Sequence, residues 1–265
     1  MYLHDRNPRR HPQIRRALWI ALAAILIMET TMADEPRAEA PVLPRVAAKL
    51  AAGEPVTVVL YGDSISEVGR SATWFGGASE ATANWGAVLV GLLGDAYPKS
   101  RITVKHYGIG GQNSYEGLGR LDGLGPLAPD LVLVAFGAND CGYHYLLPEE
   151  TGLALKTLVT GIRGRYQADV VLVGSGGDDP EQPQFRHLAE TLAATAAVAA
   201  ETGVPYVDTR SPILAATDNG RKWADFHTMA GNCHPNDAGH RLWAQAAFAV
   251  IQRALQNAPA ATTAP

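Results

Sequence analysis

Five short apolar runs, spaced along the chain with longer segments between them, limit this sequence to few folds. They are VTVVLYG (56–62), ITVKHYG (102–108), LVLVAFG (131–137), VVLVGSG (170–176) and VPYVD (204–208), and four of the five close on glycine. Near-continuous Val, Ile and Leu without polar alternation marks strands buried on both faces, as in a parallel sheet covered by helices. The segments between agree, because 84–97, 148–166, 184–202 and 236–256 carry Leu, Ala and Val at helical spacing, and Asn84 and Asn236 suit N-caps. The expected fold is α/β, a three-layer domain with a five-stranded parallel sheet. Ligands in such folds bind at the carboxyl ends of the strands, where these glycine turns fall.

The amino-terminal segment has to be set apart from that domain. Arg6, Arg9, Arg10, Arg15 and Arg16 precede twelve apolar residues, ALWIALAAILIM, and TMA follows before Asp34. Basic, apolar and small-residue regions in that order form a secretory signal, and twelve apolar residues fall short of the roughly 20 that span a bilayer. Residues 1–33 are therefore expected to be a cleaved leader, 34–48 a linker, 49–257 the folded domain and 258–265 a disordered tail. The expected location is secreted or periplasmic, with no stable membrane association after cleavage. The leader is net +3 within a total of −4, which leaves the remainder near −7. Such a balance disfavours nucleic acid as a partner. About 230 residues suit one well-buried domain.

Chemistry is suggested by four strings at the strand ends. Ser64 in YGDSIS stands two residues past Gly62, placing a hydroxyl at the open edge of the sheet as a nucleophile requires. Alone, GDS reads better as a helix cap than as a nucleophile. Gly110 and Gly111 in HYGIGGQNS permit close approach of a backbone N–H to a bound oxyanion, and Asn139 in FGANDCG offers an amide donor. His234 in MAGNCHPNDAGH supplies a base. Asp63 and Asp140 are expected to accept backbone N–H bonds in their turns, His240 to pack or cap locally, and Ser175 to be a turn residue.

These blocks, GDS (62–64), the glycine of GGQNS (Gly111), GAND (137–140) and HPN (234–236), occur in the order that resembles the SGNH, or GDSL-type, hydrolase family. The resemblance spans about 56–256. It implies a flavodoxin-like sheet, Ser64 as nucleophile and His234 as base. It also implies an oxyanion hole from the Ser64 N–H, the Gly111 N–H and the Asn139 side chain, with no metal or organic cofactor. The absence of a G-x-S-x-G string separates the chain from the α/β-hydrolase class.

One departure stands out. The family's last block runs Asp-x-x-His, and Gly231 occupies the Asp position. An orienting carboxylate fixes the imidazole tautomer and stabilises the imidazolium. Three replacements are open: a backbone carbonyl within 229–232, Asp225 or Asp208 from outside the motif, or none, in a slow or inactive protein.

Two cysteines, Cys141 after GAND and Cys233 before His234, suggest a disulfide in an exported protein. It would close a loop of about 90 residues and restrain His234. A metal site from Cys233, His234 and His227 matches no closed zinc spacing. Trp74, Phe75 and Tyr143 are candidate walls of a substrate pocket, and aromatic rings suit the apolar faces of sugars. The resulting expectation is an exported serine esterase acting on small or glycan esters, with a carbohydrate or other short-acyl deacetylase as the leading reading. An O-acetyltransferase and a catalytically silent glycan-binding protein are the alternatives.

Overall fold

In a computed structural model, residues 42–67, 84–142, 144–181, 183–228 and 233–258 are described. The proposed leader, residues 259–265 of the proposed tail, Trp74, Phe75, Tyr143 and the stretch 229–232 lie outside those residues.

Five strands, β1 (Val56–Gly62), β2 (Ile102–Gly108), β3 (Leu131–Ala135), β4 (Asp169–Gly174) and β5 (Tyr206–Asp208), form one parallel sheet in the order β2-β1-β3-β4-β5. That order is the flavodoxin-like one, with its switch point at β1 and β3. Alternate residues of each strand divide the core in two. Val58, Leu60, Leu131, Leu133, Val171 and Val173 pack under α1 (Pro44–Ala52), α2 (Trp85–Ala96) and a long final helix, Asp237–Gln256. Val59, Tyr61, Val132, Val134, Val170 and Leu172 face the opposite layer. That layer comprises a 3-10 turn at Leu121–Leu127 after α3 (Ser114–Gly119), then, after the short α4 (Ala138–Cys141), α5 (Pro148–Tyr166) and α6 (Leu188–Thr202). The remaining elements are α7 (Ser211–Asp218), a 3-10 turn at Trp223–Asp225, and α8, the Asp237–Gln256 helix. No helix among the described residues is long and apolar enough to cross a membrane.

Strands β3, β4 and β5 shift by one or two residues from the expected runs, and two boundaries differ more, each for a local reason. The expected linker, 34–48, overlaps α1, whose Val46 and Leu50 are buried together with Leu43 just before it. Helical spacing of those three residues gives a buried stripe, and buried acids fix it in place. Arg45 Nε and Lys49 Nζ reach Asp130 at 2.9 and 2.8 Å, and Val46 N donates to Asp169 at 2.9 Å. The helix expected over 184–202 begins only at Leu188. Asp178 accepts the amides of Gln184 and Phe185, the second at 2.7 Å, and His187 takes a left-handed conformation, φ 53°. Those competing side-chain bonds hold the segment as a loop.

Candidate active site

The nucleophile turn begins where β1 ends. Asp63 is buried and accepts the Ile65 amide on Oδ1 at 3.0 Å, while Ser66 N returns to Asp63 O at 3.1 Å. This folds the chain back sharply and leaves Ser64 partly exposed above the sheet. Burial, with repulsion from Asp140, pushes the Asp63 carboxyl up to about 7, against the Ile65 amide bond and Arg120, which lower it. Side chains would obstruct the turn, because a Cβ on Gly62 would collide with Ala135 O and one on Gly108 with Asp63 O and Glu67 N.

Further bonds draw the three strand-end loops together. Ile109 N donates to Gly62 O at 3.1 Å and Gly110 N to the Glu67 carboxylate at 2.8 Å, joining the β1 and β2 loops. Asn139 Nδ2 donates to Gln112 O at 2.9 Å, joining β2 to β3. Buried Asp140 accepts from Ser114 N and Ser114 Oγ at the start of α3. Burial raises the Asp140 carboxyl against these Ser114 bonds, which lower it. Gly111 sits at φ +80° with open space where a Cβ would stand, so the backbone angle is what requires glycine there. The second Asn139 amide hydrogen and the Gly111 N–H can serve a developing oxyanion.

His234 meets Ser64 from the far side, with its Nε2 2.9 Å from Ser64 Oγ. Its place is set by backbone pairing. Thr228 N donates to His234 O at 2.9 Å, Asn236 N to Phe226 O at 3.0 Å, and His227 and Pro235 form an antiparallel bridge. Asn236 then caps α8, accepting from Ala238 N and Gly239 N while its Nδ2 holds the carbonyls of Asp225 and His227. Burial, then the neighbouring His227, lowers His234 to about 4. A neutral imidazole with a proton on Nδ1 leaves Nε2 free to accept from serine, which is the state a base needs.

The expected orienting acids are engaged elsewhere. The Asp225 carboxylate is not bonded to His234. It is exposed and accepts from Lys222 N at 3.0 Å and Arg221 Nε at 2.9 Å, bonds that lower its pKa. The tight 3-10 turn directs it back to its own start. Asp208 likewise accepts from Arg210 N, Ser211 N and Ser211 Oγ at the entrance to α7. The third option, a carbonyl within 229–232, falls outside the described residues.

The expected disulfide is also corrected, because Cys141 and Cys233 are free thiols. Cys141 Sγ is turned into its own helix, 3.1 Å from Gly137 O. Cys233 Sγ lies 3.7 Å from His234 Nδ1. Burial, then acidic neighbours (Asp140 for Cys141, Asp63 for Cys233), pushes both thiols up to about 12. Thiols so protonated are poor nucleophiles.

Other residues take the places foreseen for them. His240 is buried and accepts Trp85 N at 3.3 Å, capping α2, and Ser175 is buried in the turn after β4. His227 stacks on Trp223, centroids 4.3 Å apart, with Nδ1 2.9 Å from Trp223 O. Among the described residues, no group of three or more His, Cys, Asp or Glu side chains is arranged to hold a metal. Sequence reasoning missed Arg120, Glu67 and Asp178, which carry their roles through backbone carbonyls and amides and so leave no motif.

The family model described as GDSL-like lipase/acylhydrolase matches residues 60–242. The chain belongs to that family. It is thus a carboxylic ester hydrolase with the SGNH hydrolase fold. Among solved structures, it is similar to the acetylxylan esterase Axe2 from Geobacillus stearothermophilus, at 23% identity over 74% of this chain and 94% of that one, TM-score 0.58. A two-domain esterase active on acetylated mannans shares 21% identity over 86% of this chain and 57% of its own, TM-score 0.64. A GDSL-like lipase from Parabacteroides merdae gives 18%, 74% and 95%, TM-score 0.60. No curated protein matches the chain.

Proposed function

We propose that this GDSL-family protein is an exported serine esterase that removes acetyl or other short acyl groups from carbohydrate esters. The observation that carries the mechanism is the 2.9 Å contact between Ser64 Oγ and His234 Nε2, located where the strand order reverses at β1 and β3. Ser64 Oγ attacks the ester carbonyl carbon as its proton passes to His234 Nε2. The carbonyl π pair moves to oxygen, where the Ser64 N–H, the Gly111 N–H and the Asn139 amide stabilise it. Collapse expels the sugar alcohol, which takes the proton from His234 and leaves Ser64 acylated. Water then repeats the sequence, giving the free acid and restoring serine.

In this reading His234 and Ser64 act as a dyad. The proposed acceptor for Nδ1 is a carbonyl within 229–232, with Cys233 Sγ, 3.7 Å from Nδ1, as a weak neighbouring acceptor. The reaction as written uses protein groups and water alone, and Trp74, Phe75 and Tyr143 are the proposed walls for sugar rings. The carbohydrate substrate is supported by structural neighbours described as acetylxylan and acetylated-mannan esterases, one crystallised with mannopentaose. Export rests on the basic and apolar leader of residues 1–33.

The test compares acetate release from acetylated xylan and mannan oligosaccharides, and hydrolysis of p-nitrophenyl acetate, by wild type and Ser64→Ala. Loss of both activities in the variant supports the reading. Equal activity in the variant overturns the mechanism, and acyl transfer to added glycan exceeding hydrolysis favours a transferase.

A further inference from the structure

Arg120 follows α3 directly, yet its guanidinium reaches under the active edge of the sheet. Nη2 donates to Gly62 O at 2.7 Å and Nη1 to Tyr107 O at 2.6 Å. Gly62 is the last residue of β1, two before Ser64, and Tyr107 is the penultimate residue of β2, four before Gly111. One planar group thus holds the ends of both strands.

The guanidinium itself has little freedom. It lies 4.6 Å from the centroid of Tyr61 and 4.6 Å from that of Tyr107, across two rings that stack on each other at 5.2 Å. Phe136 closes the slot at 5.8 Å. The phenol of Tyr107 donates back to Arg120 O at 3.1 Å, and that of Tyr61 to Gly117 O in α3.

Holding this half-buried cation is costly as packing alone. No carboxylate is hydrogen-bonded to it among the described residues, its Nε is buried without a partner, and burial lowers its pKa. Apolar side chains of similar volume would fill such a slot at less cost. What they would lack is a rigid fork able to fix two carbonyls at a set separation, and lysine also lacks that fork.

We infer that Arg120 is a positioning residue for ester hydrolysis, locking the turn that carries Ser64 to the turn that carries Gly111. The inference rests on the proposed roles of those two residues. Misplacement by about 1 Å can cost on the order of a hundredfold in rate, so the loss should appear in the chemical step.

The experiment uses Arg120→Lys, Arg120→Gln and Tyr107→Leu. Each is titrated with diethyl p-nitrophenyl phosphate, which phosphorylates the competent serine and releases one p-nitrophenol per site, and is then assayed on p-nitrophenyl acetate. We expect kcat per titrated site to fall roughly 10- to 100-fold in both arginine variants with KM within about threefold, and roughly 3- to 10-fold in Tyr107→Leu. A residue that only holds the fold would lower Tm and the titrated fraction while leaving kcat per site intact. Folded arginine variants within twofold of wild-type kcat per site overturn the inference. If neither arginine variant folds, a wild-type kcat in Tyr107→Leu overturns it. A wild type that neither turns over ester nor takes the phosphoryl group defeats the serine-esterase reading, and the inference with it.

Discussion

The two halves of the site are built differently. Around Ser64, Gly111 and Asn139, buried or half-buried polar side chains bind the loops: Arg120 to two strand-end carbonyls, Asp140 to Ser114, and Asn139 to Gln112. Around His234, a backbone ladder does that task, with Thr228, Phe226 and Asn236 contributing main-chain groups and neither candidate carboxylate touching the imidazole. The nucleophile and oxyanion half therefore depends on particular side chains. The base half depends more on chain path.

The sharpest test of the first half is Ser64→Ala, for which we expect kcat/KM on p-nitrophenyl acetate to fall by about 10³-fold or more. Next is Asn139→Ala, with an expected loss of about 10²- to 10³-fold, mostly in kcat, since the amide serves the transition state. A loss below tenfold would remove Asn139 from the oxyanion hole.

The base half should show itself in pH dependence. Burial lowers His234 to about 4, so the imidazole stays neutral, and active, as pH falls from 7 toward 5. Activity is lost on protonation near pH 4, and kcat/KM should show its acid limb there. Gly231→Asp, restoring the family's carboxylate, should move that limb up toward pH 6, because a nearby negative charge favours the imidazolium. An acid limb near pH 6.5 in the unmodified enzyme would contradict the desolvated base.

A smaller effect concerns stability. Burial lowers His240 from 6.5 to about 4, so the unfolded chain binds a proton in that range that the folded chain does not. The stabilisation is complete above pH 6.5 and is lost as pH falls through the window to about 4. Compared with wild type, His240→Asn should lose about 1 to 2 kcal/mol less on going from pH 7 to 5, read by urea denaturation. Asp225→Asn should have the smallest effect of all, leaving kcat/KM within about threefold, because that carboxylate serves Arg221 and Lys222. A hundredfold loss there would restore Asp225 as the orienting acid.

The strands were legible because burial on both faces demands continuous Val, Ile and Leu, and β1 and β2 fall at the expected residues. Helix α1 was obscured by its setting in a Pro- and Ala-rich stretch. Its buried stripe of Leu43, Val46 and Leu50, together with bonds to Asp130 and Asp169, 81 to 123 residues away, holds it on the core. The four motif blocks were legible as an ordered set, and the fold brings Ser64 to His234 and Asn139 to the residue after Gly111. Proximity of two cysteines in sequence logic proved a poor guide to bonding, since one rotamer sends Cys141 Sγ to a carbonyl of its own turn.

The sequence alone determined the parallel α/β architecture, the ordered blocks and the missing aspartate, because those follow from local periodicity and residue identity. Tertiary structure alone decided that Asp225 and Asp208 turn away, that the thiols stay free, and that Arg120 spans two strand ends. Each of those outcomes depends on where a side chain points within a few ångströms, and hydrogen bonds to backbone groups leave no pattern of residue types to read.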